Sequence, residues 1–548
     1  MYKKILCWLL AFAFVLISGG DRLILSVGAD IITDGAMDGS ETITMMPDFA
    51  EDGVMVVLTH EASLQFIDYT PADFPEVEIT EIQDFSSGKG AKVQAVLRGE
   101  QLEMDSIGAR FMNQDIDVDG FQRILYLKLA NPGKGNVLRT IAALERREDV
   151  YSAEPDYIYQ LAEPQATVMQ DVRTTDYTWA DQKIQLEDAW EIEMGSNYNL
   201  LIGVLDSGID VTHPELTGQV NLNLSRNFVT NDNYSAIEDP TGHGTHVAGI
   251  IGAKYNNDAM NLSGVCPYIS LVSLRVVNAN VEASCSSIAN AIDYAEENNI
   301  PLLNLSNIVT EDDWITSYDI PNVPLRTEIS SYTGLLICGA GNDNKDLKNY
   351  DATHSSYANP AIWNYSNILT VGASDQNDAR WITQEYSSNY DTATIVSNRK
   401  VDIFAPGCDI LSCFPRSLCS TSNCMHSGHV SYGYHYMSGT SMAAPFVTGV
   451  AALILASHPD ATPAIIKNAI LYSDDNISNL SNLCFSGGRL NAYKAITSIT
   501  VHSDHTYTSF DAIYHRVTCN DCDATWLEEH IEHPDAETCS HCGDYLWP

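Results

Sequence analysis

The sequence is poor in basic residues and in hydrophobic runs long enough to cross a membrane. Its 548 residues include 29 Lys and Arg against 72 Asp and Glu, which gives a formal net charge of −43. Nucleic-acid binding depends on cationic contacts to phosphates, so this composition excludes a nucleic-acid partner. The apolar stretch at residues 5–17 is shorter than the ~20 residues that a transmembrane helix needs. We therefore expect an acidic protein with a well-solvated surface.

The N-terminus has the pattern of a secretory signal peptide. Lys3 and Lys4 precede the apolar stretch, and the small residues Val-Gly-Ala at 27–29 offer a cleavage site. The sequence thus predicts a signal peptide at 1–29 and a secreted protein, with an uncleaved anchor as the alternative. Removal of this segment also removes Cys7, which leaves twelve of the 13 cysteines.

The length and the hydrophobic pattern predict more than one domain, one of which is an α/β domain. Continuous apolar runs typical of buried strands occur at 201–205, 270–277, 302–305, 335–338 and 368–371, and a helical pattern occupies 284–299. Buried strands that alternate with helices favour a mostly parallel sheet covered on both faces. Sites in such sheets form beyond the carboxyl ends of the strands.

Four short motifs follow one another in the region of these strands. Asp206 lies in Val-Leu-Asp-Ser-Gly-Ile-Asp, and His243 lies in Gly-His-Gly-Thr-His-Val-Ala-Gly. Asn342 ends Gly-Ala-Gly-Asn, and Ser441 lies in Ser-Gly-Thr-Ser-Met-Ala-Ala-Pro. Both Asp206 and Asn342 directly follow an apolar run, where the strand-end rule places functional residues.

These residue types are the complete set for acyl transfer by a serine. A hydroxyl such as that of Ser441 needs a base, and an imidazole such as that of His243 can take and return the proton near neutral pH. A buried carboxylate, here Asp206, fixes the tautomer of the imidazole and stabilises the cation that forms. Asn342 and the backbone N–H of Ser441 are candidates for donors to the oxyanion.

Each residue alone has a simpler interpretation. Asp206 and Asn342 could be turn residues, His243 could bind a metal with His246 on one helix face, and Ser441 could be a helix N-cap before Pro445. The joint occurrence of all four motifs in this order favours the catalytic interpretation.

The motifs and their order Asp, His, Ser closely resemble those of the subtilisin-like serine proteases, or subtilases. The resemblance implies a three-layer domain with a mostly parallel sheet at 175–500, and a secreted serine endopeptidase that cleaves polypeptides through an acyl-enzyme. It also implies that Ser306 and Gly341 line the substrate site, although Asn307-Ile308-Val309 replaces the Leu-Gly-Gly of many relatives. The alternative is a non-enzymatic surface or binding protein on the same scaffold.

The region at 50–165 has a different character. Strand-like runs at 54–58 and 124–129 and an amphipathic helix marked by Val137, Ile141 and Leu144 predict a small α+β domain. It resembles the propeptide of subtilases, which assists folding and inhibits the enzyme until it is removed. The resemblance implies a self-processed precursor that is cut between Gln160 and Thr178. An ordinary accessory domain is the alternative.

Calcium is a weaker expectation. Glu215 resembles a carboxylate ligand of the family, and the Tyr-Asn-Asn-Asp segment at 255–258 resembles part of its calcium loop. Their oxygen atoms suit a hard cation, but such turns are also common without a metal.

The cysteines form two groups. Cys408, Cys413, Cys419 and Cys424 precede the serine motif, and in an exported protein disulfides are the favoured interpretation, with metal binding as the alternative.

The second group lies in the tail at 503–548, where Cys519-x-x-Cys522 and Cys539-x-x-Cys542 are separated by sixteen residues. This spacing predicts a zinc ribbon that depends on structural Zn²⁺ for folding, with two disulfides as the alternative. Such a module has a structural or binding role, for example toward a cell-surface partner.

Overall fold

The computed structural model divides the chain into two compact units, residues 1–496 and 497–548, and each is described separately. Most of the predicted signal peptide lies outside the described residues. The structure describes residues 14–17, 23–27, 29–33, 44–45, 48–100, 102, 106–112, 116–160, 165–166, 178–195, 199–229, 234–255, 262–306, 322–350, 360–384, 386–419, 433–499, 505–509, 514–519 and 525–529.

The first unit begins with two antiparallel sheets. The first contains β1 (Phe14–Ile17), β2 (Leu23–Val27), β3 (Ala29–Thr33) and β4 (Thr44–Met45) in that order. The second contains β5 (Phe49–Leu58), β6 (Ile79–Asp84), β7 (Ile124–Leu129) and β8 (Val150–Gln160), paired in the order β8-β5-β7-β6. The helices here are α1 (His60–Ser63), α2 (Ser87–Leu97), α3 (Ile107–Met112) and α4 (Lys134–Leu144).

The second sheet and its helices form what we call the N-terminal layer, residues 49–160. Every residue from Gly53 to Leu58 is buried. Successive side chains of a strand point to opposite faces, so both faces of this sheet are covered. The predicted strands at 54–58 and 124–129 and the predicted helix around Val137 are confirmed.

The rest of the first unit forms an α/β domain. Its strands are β9 (Gln165–Ala166), β10 (Leu201–Asp206), β11 (Arg226–Asn227), β12 (Ser270–Arg275), β13 (Glu282–Ser284), β14 (Leu302–Leu305), β15 (Leu335–Gly339), β16 (Ile368–Ser374), β17 (Ile403–Pro406), β18 (Ile410–Cys413), β19 (Tyr434–Ser438), β20 (Asp475–Asn476) and β21 (Gly488–Arg489). Its helices are α5 (Trp179–Lys183), α6 (Leu186–Trp190), α7 (His243–Gly252), α8 (Cys285–Glu297), α9 (Val323–Ser331), α10 (Thr440–Ser457), α11 (Pro463–Tyr472) and α12 (Ala492–Ser498).

A nine-stranded sheet organises this domain, in the order β11-β12-β10-β14-β15-β16-β17-β21-β20. All its pairs are parallel except the edge pair β20–β21. Strands β14, β15 and β16 are buried along their whole length, as expected for a parallel sheet with both faces covered. The predicted strands and the helix predicted at 284–299 are thus confirmed, with small shifts at their ends.

Helix α10 contacts β14 to β17 and packs against α7. By length and composition it could cross a membrane, and 89% of the tested window is buried inside the protein. Its uniform apolarity is therefore that of a core helix. Helices α8 and α9 contact each other, and both also contact strand β8 of the N-terminal layer.

Two short strands join separate parts of the first unit. Strand β13 extends the sheet of the N-terminal layer by pairing antiparallel with β8. Strand β9 pairs antiparallel with β19, with Ala166 opposite Met437 and Gln165 opposite Ser438.

The second unit contains an antiparallel sheet of β22 (His505–Ser509), β23 (Tyr514–Cys519) and β24 (Thr525–Glu529). Cys519 ends β23. The other three cysteines of the predicted zinc site lie outside the described residues.

Candidate active site

Asp206 and His243 come from two neighbouring elements of the α/β domain. Asp206 is the last residue of β10, a strand flanked by β12 and β14, so its side chain lies at the carboxyl edge of the sheet. His243 is the first residue of α7. The preceding Gly242 has φ +87°, and a Cβ there would lie 2.1 Å from the ring of Phe414. Glycine is therefore required for the chain to turn into α7 at this point.

The two side chains meet in a buried pair. The Nδ1 atom of His243 lies 2.7 Å and 2.9 Å from the two carboxylate oxygens of Asp206, and the residues are 3% and 1% exposed. Burial alone would lower the pKa of His243, but the charge and the hydrogen bond of Asp206 outweigh it, so that the pKa is raised. The carboxylate therefore stabilises a protonated imidazole.

Ser441 lies in the first turn of α10, which begins one residue earlier at Thr440. Pro445 lacks an N–H group, so it cannot donate to the Ser441 carbonyl. That carbonyl accepts a hydrogen bond from the Ser306 hydroxyl at 3.3 Å instead. Since the helix begins before Ser441, the N-cap interpretation of this residue is wrong.

The hydroxyl of Ser441 donates to the backbone carbonyl of Ser306 at 3.3 Å. The Nε2 atom of His243 is buried and has no hydrogen-bond partner among the residues that the structure describes. The bond between nucleophile and base is thus not formed in this structure. Catalytic hydrogen bonds often tighten only when substrate binds, so this geometry does not exclude the pair.

Asn342 directly faces the serine motif. Its Oδ1 atom accepts hydrogen bonds from the backbone N–H and the hydroxyl of Thr440 at 2.9 Å and 3.1 Å. Its buried Nδ2 atom has no acceptor within the described part of the chain and lies 3.2 Å from the position of a Cβ added at Gly439. The side chain is therefore fixed by one atom, while its N–H donors remain available beside Ser441.

Gly341 belongs to the loop that carries Asn342. Its φ is +101°, and a Cβ there would lie 2.3 Å from Nδ2 of Asn389. Its N–H donates to the hydroxyl of Thr440 at 3.1 Å. Asn389 bonds the carbonyl of Ala340 at 2.9 Å, so it holds the same loop from the other side.

The sequence analysis missed Asn389, Thr440 and Asp239, which surround the four motif residues. No local pattern identifies Asn389. Thr440 and Asp239 were detectable by position, one residue before Ser441 and four residues before His243.

His246 does not join His243 in a metal site. Its Nε2 atom lies 3.1 Å from the carbonyl oxygen of Ile410 and 3.0 Å from that of His435. Burial lowers its pKa to about 3, and no cluster of three metal-binding side chains occurs among the described residues. His246 is a neutral histidine that packs α7 against β18 and β19.

The predicted calcium residues are described only in part. Glu215 is buried, and its carboxylate accepts a hydrogen bond from the hydroxyl of Tyr434 at 3.2 Å. Residues 256–258 lie outside the described residues, so the predicted loop cannot be assembled around it.

The disulfide prediction for the four cysteines before the serine motif holds only in part. Cys419 forms a disulfide, whereas Cys408 is a free thiol, and Cys424 lies outside the described residues. Cys413 ends strand β18 and is fully buried, which explains why it serves as a small core residue.

Comparison with known proteins settles the family. The sequence model of the subtilase family matches residues 197–488, a range that contains all four motifs. The chain belongs to the subtilase family. It is accordingly a serine endopeptidase by class.

Two relatives each match more than half of this chain. A thermophilic serine proteinase of Bacillus sp. (strain AK1) is 33% identical over 367 residues, which span 66% of this chain and 77% of the relative. Thermitase of Thermoactinomyces vulgaris is 31% identical over 321 residues, 58% of this chain and 95% of the relative.

The fold of this subtilase is also found in a solved structure. Fervidolysin from Fervidobacterium pennivorans, described as a keratinolytic enzyme related to subtilisin, matches with a TM-score of 0.54 and 18% identity. The match covers 89% of this chain and 69% of fervidolysin. The similarity of fold therefore extends beyond the region that the family model matches.

Proposed function

We propose that the chain hydrolyses peptide bonds with Ser441 as nucleophile, His243 as general base and acid, and Asp206 as the carboxylate that orients His243. The observation that carries this proposal is the buried contact between His243 Nδ1 and Asp206, at 2.7 Å and 2.9 Å. Because Nδ1 is bound to the carboxylate, Nε2 is the atom left to exchange a proton with the serine.

Asn342 is the proposed oxyanion donor, together with the backbone N–H of Ser441. Its Nδ2 atom has no acceptor among the described residues. The atom lies beside Gly439, two residues before the nucleophile. When Ser441 attacks a carbonyl carbon of the substrate, the carbonyl oxygen becomes negative and accepts hydrogen bonds from these donors. The C–N bond then breaks as His243 gives its proton to the leaving amine, and the acyl-enzyme forms. Water attacks the acyl-enzyme as His243 takes its proton, and that proton returns to Ser441 when the acid product leaves.

Ser306 and Gly341 are the proposed substrate-binding residues. Ser306 touches Ser441 through two hydrogen bonds of 3.3 Å, and the Gly341 N–H bonds Thr440. Both thus border the nucleophile, where a polypeptide substrate would lie.

The N-terminal layer is proposed to be a propeptide that inhibits the enzyme until it is removed. Strand β8 pairs with β13 of the α/β domain, and the following strand β9 pairs with β19 immediately before the serine motif. Gln165 of β9 lies opposite Ser438, three residues before Ser441. This arrangement supports self-processing between Gln160 and Thr178 and secretion as a precursor.

The metal sites are proposed from their donor sets. Cys519, Cys522, Cys539 and Cys542 would hold structural Zn²⁺, since four thiolates are a preferred zinc set, and the folded tail would be free to bind a cell-surface partner. Glu215 with the oxygen-rich segment 255–258 would hold Ca²⁺.

The experiment is hydrolysis of a casein-derived peptide mixture by the processed protein and by Ser441→Ala. We expect the substitution to lower kcat by about 10⁶, the size known for subtilisin, and to prevent processing of the precursor. Ser457→Ala, at the other end of α10, is the matched control and should retain full activity. Hydrolysis by Ser441→Ala would contradict the proposed nucleophile, and processing in that variant would mean that another protease cuts the chain.

A further inference from the structure

Asp239 is a buried carboxylate that the proposed mechanism does not use. It lies four residues before His243 and is 6% exposed. Its Oδ1 atom accepts hydrogen bonds from the hydroxyl of Ser207 (2.8 Å), from the N–H and hydroxyl of Thr241 (3.1 and 3.2 Å) and from the N–H of Gly242 (2.8 Å). Its Oδ2 atom accepts from the N–H and hydroxyl of Thr245, at 2.8 and 2.7 Å.

These donors come from the two segments that carry Asp206 and His243. Ser207 directly follows Asp206, and its hydroxyl also lies 3.2 Å from Asp206 Oδ1. Thr241, Gly242 and Thr245 form the turn in which α7 begins, around His243. The Asp239 carboxylate therefore connects the end of β10 to the start of α7.

The connection continues through the Ser207 hydroxyl. This oxygen accepts hydrogen bonds from the N–H of Gly244 at 3.0 Å and from the hydroxyl of Thr241 at 2.7 Å. Through these contacts Ser207 is bonded to Asp239, to the backbone N–H of Gly244 after His243 and to the side chain of Thr241 before it. A shift of α7 relative to β10 would break several of these bonds together.

The charge of Asp239 acts in the same direction as its geometry. Burial works against a charged His243, but Asp206 and, to a smaller extent, Asp239 outweigh it and raise the pKa of the imidazole. A negative group at position 239 therefore helps the imidazolium that forms when Ser441 loses its proton.

We propose that Asp239 is a positioning residue of the catalytic centre, whose carboxylate fixes the first turn of α7 against Ser207 and so holds His243 on Asp206. This inference rests on the proposed roles of Asp206 and His243. It adds to them a second carboxylate that does not touch the substrate.

The test is Asp239→Asn in the processed enzyme. The amide has nearly the same shape, but its NH2 group would face N–H and O–H donors where an oxygen accepts now. We expect kcat to fall on the order of 10²-fold, the effect of a misplaced catalytic group, with KM changed less than threefold. The acid limb of the kcat/KM profile should move to lower pH, because a charge that favours the imidazolium is lost.

A purely structural role would give a different result. The melting temperature would then fall, while kcat per folded enzyme and the acid limb would stay as in the unmodified protein. Asp375→Asn is the matched control, since its carboxylate accepts only from the N–H groups of Asn377 and Ala379 in a surface turn. Asp375→Asn should change neither kcat nor the acid limb.

Ser207→Ala covers the case in which Asp239→Asn does not fold. It keeps the Asp239 charge and removes the connecting hydroxyl, so kcat should fall about fivefold, which corresponds to a loss of ~1 kcal/mol, with the acid limb unmoved. Unchanged kcat in the folded variants would overturn the inference while the unmodified enzyme stays active. An inactive unmodified enzyme that a fluorophosphonate does not label would instead contradict the proposed function itself.

Discussion

The proposed catalytic centre and the contact of the N-terminal layer with α8 and α9 both bury carboxylates, but the hydrogen-bond donors to these carboxylates come from different places. In the catalytic centre, Asp206 and Asp239 accept hydrogen bonds from donors within the α/β domain itself. At the second contact, a carboxylate on one side accepts donors from the other side. The first arrangement survives removal of the N-terminal layer, whereas the second exists only while the two parts stay together.

Three carboxylates show this dependence. Asp156 of β8 accepts from the N–H and hydroxyl of Ser286 in the first turn of α8, at 2.8 and 2.6 Å. Glu154 of the same strand accepts from the N–H of Val323 at the start of α9, at 3.1 Å. Each places a carboxyl oxygen at a helix N-terminus, where the first N–H groups lack acceptors within the helix.

The third carboxylate belongs to the α/β domain. Asp293 of α8 accepts from the N–H and hydroxyl of Ser87 and from the N–H of Gly88. Lys92 nearby forms an ion pair with Glu296 at 2.9 Å. The contact is therefore reciprocal, because each part provides acceptors for the other.

Of the substitutions that test this comparison, Asp206→Asn should have the largest effect. Without the carboxylate, Nδ1 of His243 loses the partner that fixes its tautomer, and we expect kcat to fall by about 10⁴. The acid limb of kcat/KM should move to lower pH, since Asp206 is the main group that raises the pKa of His243. Asp210→Asn is the control, because its carboxylate bonds only Thr212. A normal rate in Asp206→Asn would remove this residue from the mechanism.

Asn342→Asp distinguishes the role of the side-chain acceptor atom from that of the donor atom. The carboxylate can still accept from Thr440, but it has no N–H donor for the oxyanion. We expect kcat to fall by about 10²–10³ with little change in KM, and a similar fall in Asn342→Ala. If only Asn342→Ala lost activity, the side chain would matter for holding the loop and not as a donor.

The contact with the N-terminal layer should weaken as the pH rises. Burial raises the pKa of Glu154 to about 7, of Asp156 to about 6 and of Asp293 to about 7. Groups whose pKa is raised in the complex bind protons on association, so their stabilisation is complete below pH ~4 and is lost as the pH rises through 6–7.

This sign can be measured on the processed complex. Between pH 5 and pH 8 the affinity of the cleaved N-terminal segment should fall on the order of 100-fold from the raised pKa of Asp293 alone. The affinity is measured through inhibition of peptide hydrolysis by the segment. Asp293→Asn carries no charge at either pH and should reduce this dependence. Tighter binding at pH 8 would contradict the description of the contact.

Gly88→Ala should have the smallest of these effects. A Cβ at Gly88 would lie 2.7 Å from the backbone nitrogen of Glu297 and 2.8 Å from the carbonyl of Asp293. Overpacking of this kind costs about 1–3 kcal/mol, so we expect the affinity of the N-terminal segment to fall about tenfold. Gly90→Ala on the same helix, where the nearest atom is 3.4 Å away, should leave the affinity unchanged.

The sequence predicts the parts of the fold that depend on local pattern. Strands β10, β12, β14, β15 and β16 are rich in apolar residues, and their ends differ from prediction by only a few residues. The proposed site residues could be named from the sequence because each stands in a short motif near a strand or helix end. Their spatial proximity follows from parallel strands that share one carboxyl edge.

Contacts between distant segments could not be predicted in the same way. Asp239 lies only four residues before His243, but its importance depends on donors from Ser207 and Thr245 that meet only in the folded chain. The pairing of β8 with β13 joins residues more than 100 positions apart. The disulfide predicted for Cys408 was wrong because the spacing of cysteines in a sequence does not give the distance between two sulfur atoms.

The most direct test of the proposed centre is labelling of the processed protein with a fluorophosphonate, with mass spectrometry to locate the adduct. The reagent modifies a serine that an adjacent base activates. We predict a single adduct on Ser441, absent from Ser441→Ala and strongly reduced in His243→Ala. Folded, processed protein that takes up no label at Ser441 would contradict the assignment of nucleophile and base, and would favour a binding role for this subtilase scaffold.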